Sequence, residues 1–171
     1  MKNLVANATY AAKIKSKLTA AELAVMPELA QVEIKYFPKL KASLQPKVTS
    51  SADAYNYLIK ILEDKVYHVE HFAMLHLNRA NFIIGWSIVS VGGLAGTVAD
   101  PKVIFQLALL RNSSSIIVAH NHPSGNLKPS AADISLTKKL VDAGKFLDLP
   151  ILDHLIITED NYYSFADEGL I

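Results

Sequence analysis

The chain of 171 residues contains no cysteine. That absence excludes disulfide staples, thiol nucleophiles and every thiolate zinc site. Any metal would have to be held by His, Asp or Glu, the ligand set typical of catalytic rather than structural zinc. No apolar run reaches the ~18 residues needed to cross a bilayer. The N-terminal residues Met1–Asn7 lack the hydrophobic stretch of a secretory signal. No membrane association and a cytoplasmic location are therefore expected. Repeats and low-complexity tracts are absent. Gly92, Gly93 and Gly96 are followed by no G-K-S/T or dinucleotide pattern, so they form no phosphate loop.

What is present is a chain half hydrophobic and one-fifth charged, long enough for one ordinary domain with a single core. The net charge of +1 is unevenly spread. Residues 1–50 hold eight lysines against three glutamates, a balance of +5, and the remainder holds nine basic against thirteen acidic residues, a balance of −4. A solvated lysine face accounts for the basic excess. A phosphate-contacting arm is the alternative, although the stretch has no arginine and no dense basic run.

Punctuation and periodicity divide the chain into a lead-in, 1–48, and a main domain, 49–171. In the lead-in, Thr19-Ala20-Ala21-Glu22 is a capping box for a short helix to about Met26, stopped by Pro27. The alternation over 30–36 suits a half-buried strand, and an extended stretch lies between Pro38 and Pro46. In the main domain, a helix over 52–64 is followed by strands at 69–77 and 82–91 joined by a turn, then a short strand at 94–98. Asp100-Pro101, an N-cap with proline at the first helical position, opens a helix to about Leu110 or Arg111. The β-branched run from Ser115 reads as a buried strand. A helix from Ala131 to about Ala143 ends at Gly144 as a left-handed cap, and strands follow at 152–158 and 162–165. The class is α/β or α+β, a layered sheet flanked by helices.

The chemistry concentrates between Val118 and Asp133. If the strand continues through His122, His120 and His122 point to the same side, because side chains alternate with period two. Pro123, Gly125 and Pro129 then force a loop, and Ser130 is placed to cap the next helix. Two imidazoles at a strand end thus face a carboxylate, Asp133, on a helix's first turn. This is a three-ligand mixed site with a position left for water. Spacing alone leaves a second reading open: Ser130 and Asp133 as a capping box, with histidines that bind no metal.

His120-x-His122-Pro123, with Ser130 and Asp133 at their spacings, resembles the JAMM (MPN+) metalloprotease signature. His120-Asn121-His122-Pro123-Ser124-Gly125, with Pro129-Ser130, is similar to the bacterial RadC family. That resemblance runs from about Thr49 to the C-terminus and includes Thr137, Asp153-His154 and Tyr163-Ser164-Phe165. It implies a mixed sheet of JAMM/MPN-like (cytidine-deaminase-like) architecture and one zinc ion per chain on His120, His122 and Asp133. It also implies a zinc-dependent peptidase acting on a peptide or isopeptide bond of a protein substrate not identified by the sequence. Glu70 sits amid apolar neighbours, where a carboxylate is costly unless used or paired. It matches the family's acid/base glutamate; otherwise it is a solvent-facing residue at a sheet edge. Ser130 matches a serine that stabilises the oxyanion, a role compatible with capping. His154 reads as a satisfied core histidine rather than a partner of the ligands. His68, His71 and His76 read as strand-surface residues rather than a second metal site.

RadC proteins carry a DNA-repair label, and many have an N-terminal helix-hairpin-helix region. Residues 1–48 show no tandem helix-hairpin-helix and no glycine to build one. DNA is thus a weakly supported partner, and a homo-oligomer is a further candidate assembly. The reading from a different class is a DNA-associated or protein-binding accessory module with no proteolytic role.

Overall fold

The computed structural model describes residues 19–21, 40–93 and 99–171. The chain divides into two units, Met1–Lys35 and Tyr36–Ile171. Within the first, Ala20 and Ala21 are helical, in keeping with the Thr19 capping box. The rest of that helix and the strands expected over 30–36 and 94–98 lie outside the described residues.

The second unit is built on five strands: β1 (His71–Leu77), β2 (Ile83–Val91), β3 (Ser115–Asn121), β4 (Ile151–Ile157) and β5 (Tyr162–Ser164). They form one mixed sheet in the order β2-β1-β3-β4-β5. β1 is antiparallel to both β2 and β3, β3 and β4 are parallel, and β5 is antiparallel to β4. Among the described residues of this unit, three α-helices accompany the sheet in an α+β fold: α1 (Ser51–Leu62), α2 (Pro101–Leu110) and α3 (Ala131–Phe146).

The period-two alternation of β1 sorts its side chains between two cores. Ala73, Leu75 and Leu77 pack with Ala54, Leu58 and Leu62 of α1. Phe72 and Met74 pack on the other face with Ile104, Phe105 and Ala108 of α2 and Leu140 of α3. In β3, Ile117 and Ala119 join the α1 side and Ile116 and Val118 the α2/α3 side. Each such buried Leu or Ile contributes about 1.5–3 kcal/mol of transfer free energy, which fixes the register: a one-residue slip would send every side chain to the wrong face.

The helices start where their caps dictate. Ser50 Oγ accepts from the Asp53 amide at 3.2 Å, and Asp53 Oδ2 accepts from the Ser50 amide at 3.1 Å. The Thr49 hydroxyl also donates to Asp53 at 2.6 Å and is the main cause holding its carboxyl below the usual range. Asp100 caps α2 by accepting from the Lys102 amide at 2.9 Å.

Three expectations are corrected. α3 runs through Gly144 to Phe146, so that glycine ends nothing. A Cβ there would stand 2.6 Å from the Leu149 carbonyl oxygen; the position needs glycine for close approach of the chain returning into β4. His76 and His71 are buried, not on a strand surface, because β1 is an inner strand covered on both faces. β1 begins at His71, so Glu70 lies one residue before the strand.

Candidate metal centre

His120 is the next-to-last residue of β3 and is buried, whereas His122 is half-buried just past the strand end. Their Nε2 atoms are 3.0 Å apart. Asp133, on the first turn of α3, brings Oδ1 within 3.3 Å of His120 Nε2 and Oδ2 within 3.9 Å of His122 Nε2. One ligand atom from each residue lies within 4.8 Å of the other two, a group able to hold a metal ion. Tetrahedral zinc with bonds of about 2.05 Å places neighbouring ligand atoms about 3.3 Å apart, so these separations suit such an ion.

Local sequence supplies the orientation of each group. Pro123, Ser124 and Gly125 form a turn closed by the Gly125 amide on the His122 carbonyl at 3.0 Å, with Gly125 at φ 75°, a left-handed conformation glycine adopts without strain. The turn returns the Asn126 carbonyl to within 2.5 Å of His122 Nδ1. A carbonyl only accepts, so Nδ1 carries hydrogen and Nε2 presents a lone pair unless a second proton binds it. The capping box of α3 leaves one Asp133 oxygen available to an ion. Asp133 Oδ2 accepts from the Ser130 amide at 2.7 Å and the Asp133 amide donates to Ser130 Oγ at 3.1 Å, while Oδ1 stays turned to His120.

A second layer fixes His120. Its Nδ1 lies 2.9 Å from Nε2 of His154, whose Nδ1 lies 2.6 Å from Thr137 Oγ1. The Thr137 hydroxyl donates to the Asp133 carbonyl at 2.7 Å. That carbonyl sets the polarity of the whole chain. Thr137 spends its proton on it, so the neutral His154 donates to Thr137 from Nδ1 and accepts at Nε2. His120 then donates from Nδ1 and leaves its Nε2 lone pair facing Asp133 and His122. Burial pushes the His120 imidazole down to about 4, with the Asp133 carboxylate opposing and His122 adding to the shift. Burial, then the neighbouring His120 and His122, also holds His154 well below its ordinary value. Neutral imidazoles are what metal ligation requires. Two lone pairs and a carboxylate oxygen thus converge: one proton on His122 would satisfy one of these contacts, and a divalent cation satisfies all three.

Glu70 is half-buried immediately before β1. Phe72 pairs with His120 across β1 and β3, and their rings stack at 6.0 Å. Glu70 precedes Phe72 by two residues and lies outside the β1–β3 pairing, which begins at the Phe72–His120 pair. An open groove of about 540 Å³ shares Asp133 with the centre and is otherwise lined by residues of α2 and α3 and the segment before α2, among them Ala99, Pro101, Ala132, Leu136 and Lys139.

A family model described as the RadC-like JAB domain matches residues 48–170. The chain belongs to the RadC-like JAB domain family. Among relatives, a UPF0758 protein of Flavobacterium johnsoniae is 48% identical over 124 residues, covering 72% of this chain and 53% of the relative. A UPF0758 protein of Methanosarcina mazei is 38% identical over 156 residues, covering 91% and 65%. A third, of Salinibacter ruber, is 42% identical over 120 residues, covering 70% and 49%. The chain spans about half to two thirds of the length of these curated relatives. In this RadC-like domain, His120, His122, Asp133 and Ser130 come together as their spacing suggests. His154, expected as a satisfied core histidine, is buried and satisfied, and its partners are Thr137 and His120 of the candidate centre. The relay role of Thr137 was missed, although its position one helical turn after Asp133 is a usable signal. Asn126 gave no signal, since only the fold of the turn returns its carbonyl. Among the described residues, His68, His71 and His76 form no second metal cluster. His76 instead bonds Ser113 and Ser87, each at 2.9 Å. No helix among the described residues is long and apolar enough to cross a membrane.

Proposed function

We propose that the protein is a zinc-dependent hydrolase of peptide or isopeptide bonds, with His120, His122 and Asp133 as metal ligands. The observation that carries this reading is the convergence of two tautomer-fixed imidazole nitrogens and one carboxylate oxygen beside an open groove. A zinc ion supplies, when bound, a water of lowered pKa and a Lewis acid for the scissile carbonyl. Glu70 accepts the proton of the attacking water and returns it to the leaving amine. Ser130 Oγ already accepts from the Asp133 amide, so its own hydrogen is free to donate to the oxygen on which charge develops. His154 and Thr137 hold the Nδ1 proton of His120 and so keep Nε2 basic. The groove beside Asp133 offers an extended polypeptide a mixed lining, apolar at Ala99, Pro101, Ala132 and Leu136 and polar at Asp100, Ser135 and Lys139.

The test begins with metal analysis of the full chain purified without chelators. About one zinc per chain is expected, lost in His120→Ala; a wild-type chain free of zinc would overturn the proposal. Glu70→Gln should keep its zinc and lose about 10²- to 10⁴-fold in hydrolysis of a peptide or isopeptide substrate. Salt-sensitive DNA binding that survives both substitutions, without hydrolysis, would put the function on a surface instead.

A further inference from the structure

A fully buried asparagine lies between the two histidines. Asn121 turns away from them to the opposite face of β3 and uses both ends of its amide. Nδ2 donates to the carbonyls of Val66 at 3.1 Å and Val69 at 3.0 Å, and Oδ1 accepts from the His71 amide at 2.7 Å. The Val69 carbonyl and the His71 amide belong to the two peptide groups that flank Glu70. One side chain therefore grips the backbone on both sides of that residue. The grip is reinforced from two directions. His71 Nδ1 lies 2.9 Å from the same Val69 carbonyl, and the carbonyl of Glu70 itself accepts from the Gly92 amide at 2.8 Å.

The chemistry of the clamp is specific to a carboxamide. It needs two donors and one acceptor on a short, planar group; aspartate lacks the donors and an aliphatic residue lacks both. Its place in the chain matters as much. Asn121 is covalently joined to His120 on one side and His122 on the other. Any shift of the 66–71 segment relative to Asn121 is therefore a shift of Glu70 relative to both imidazoles. We propose that Asn121 is a positioning residue, which sets Glu70 against the metal centre through the backbone rather than by contact with metal or substrate. The proposal rests on the acid/base role of Glu70 given above.

The experiment reads position directly. The full chain, with carboxyl-labelled glutamate, is loaded with Co²⁺, and paramagnetic relaxation of the Glu70 carboxyl resonance is measured, assigned by its loss in Glu70→Gln. In wild type that resonance should be the most strongly relaxed of the glutamates. In Asn121→Ala and Asn121→Asp the effect should fall about threefold or more, as expected for a displacement of about 1 Å in a quantity decaying with the sixth power of distance. Co²⁺ affinity should stay within about twofold, because Asn121 orients neither ligating ring. Asn121→Asp keeps the acceptor for the His71 amide, so it carries the comparison if Asn121→Ala does not fold. Undiminished relaxation in the folded variants overturns the role of Asn121 alone. A wild-type protein that binds Co²⁺ but relaxes Glu70 no more than other glutamates overturns the acid/base reading itself.

Discussion

Thr137→Val removes one hydroxyl at nearly constant volume and should weaken a metal site that the hydroxyl never touches. In the folded protein Thr137 Oγ1 accepts from His154 Nδ1 at 2.6 Å and donates to the Asp133 carbonyl at 2.7 Å. With valine, the His154 Nδ1 hydrogen is left without an acceptor at a side chain fully shut off from water. An unsatisfied buried donor costs about 1–3 kcal/mol. The escape is a change of tautomer: His154 moves its proton to Nε2, which faces His120 Nδ1. His120 must then accept there and carry its own proton on Nε2, the atom turned towards Asp133. Metal binding has to reverse that exchange and pay the buried-donor cost. Loss of such an outer partner typically lowers metal affinity about 10- to 100-fold, or roughly 1.4–2.7 kcal/mol, within the range of the unsatisfied donor. The assay is competition with a chromophoric chelator for Zn²⁺ at neutral pH. Thr137→Ser, which keeps both bonds, serves as the control. Wild-type affinity in Thr137→Val, with His120→Ala abolishing binding, would refute the relay.

Three further outcomes follow from single contacts. Ser130→Ala removes the acceptor for the Asp133 amide and should cost about 0.5–2 kcal/mol in chemical denaturation. It should leave zinc bound, because the Ser130 backbone amide still holds Asp133 Oδ2, and should lower turnover about 10²- to 10³-fold. Gly144→Ala should destabilise by roughly 1–3 kcal/mol despite the better helix propensity of alanine, since the new Cβ would meet a backbone carbonyl at 2.6 Å; a variant as stable as wild type would show that α3 and the turn into β4 yield easily. Burial, helped by the Arg111 charge, pushes His76 down to about 4. The unfolded chain therefore binds a proton between about pH 6.5 and 4 that the folded one refuses. The contribution of His76 is complete above that window and is lost as pH falls through it. The stability of His76→Gln should fall less steeply there, by up to about 1.4 kcal/mol per pH unit; identical slopes would exclude it.

The periodicity of residues 49–171 was legible because each element carries its own signal. Asp100-Pro101 starts α2 where it should, and the alternating pattern of β1 divides between two cores. The H-x-H spacing with Ser130 and Asp133 likewise encodes its geometry locally, through strand alternation, a turn and a capping box. What failed was reading burial from local context: His71 and His76 look like surface residues until β1 is found inside the sheet. Gly144 looks like a terminator until β4 passes beside it.

The sequence by itself determined the ligand types, since the chain has no cysteine to offer, and the order in which His120, His122, Ser130 and Asp133 arrive. Only the tertiary structure decided which nitrogen of each imidazole faces the candidate centre. That depends on where protons rest, and the acceptors that settle it come from other elements: His154 on β4, Thr137 on α3 and the Asn126 carbonyl at the end of the turn. The same holds for Asn121, whose partners lie 50 to 55 residues earlier in the chain. Hydrogen-bond direction is a property of pairs, and no single position in the sequence states both members.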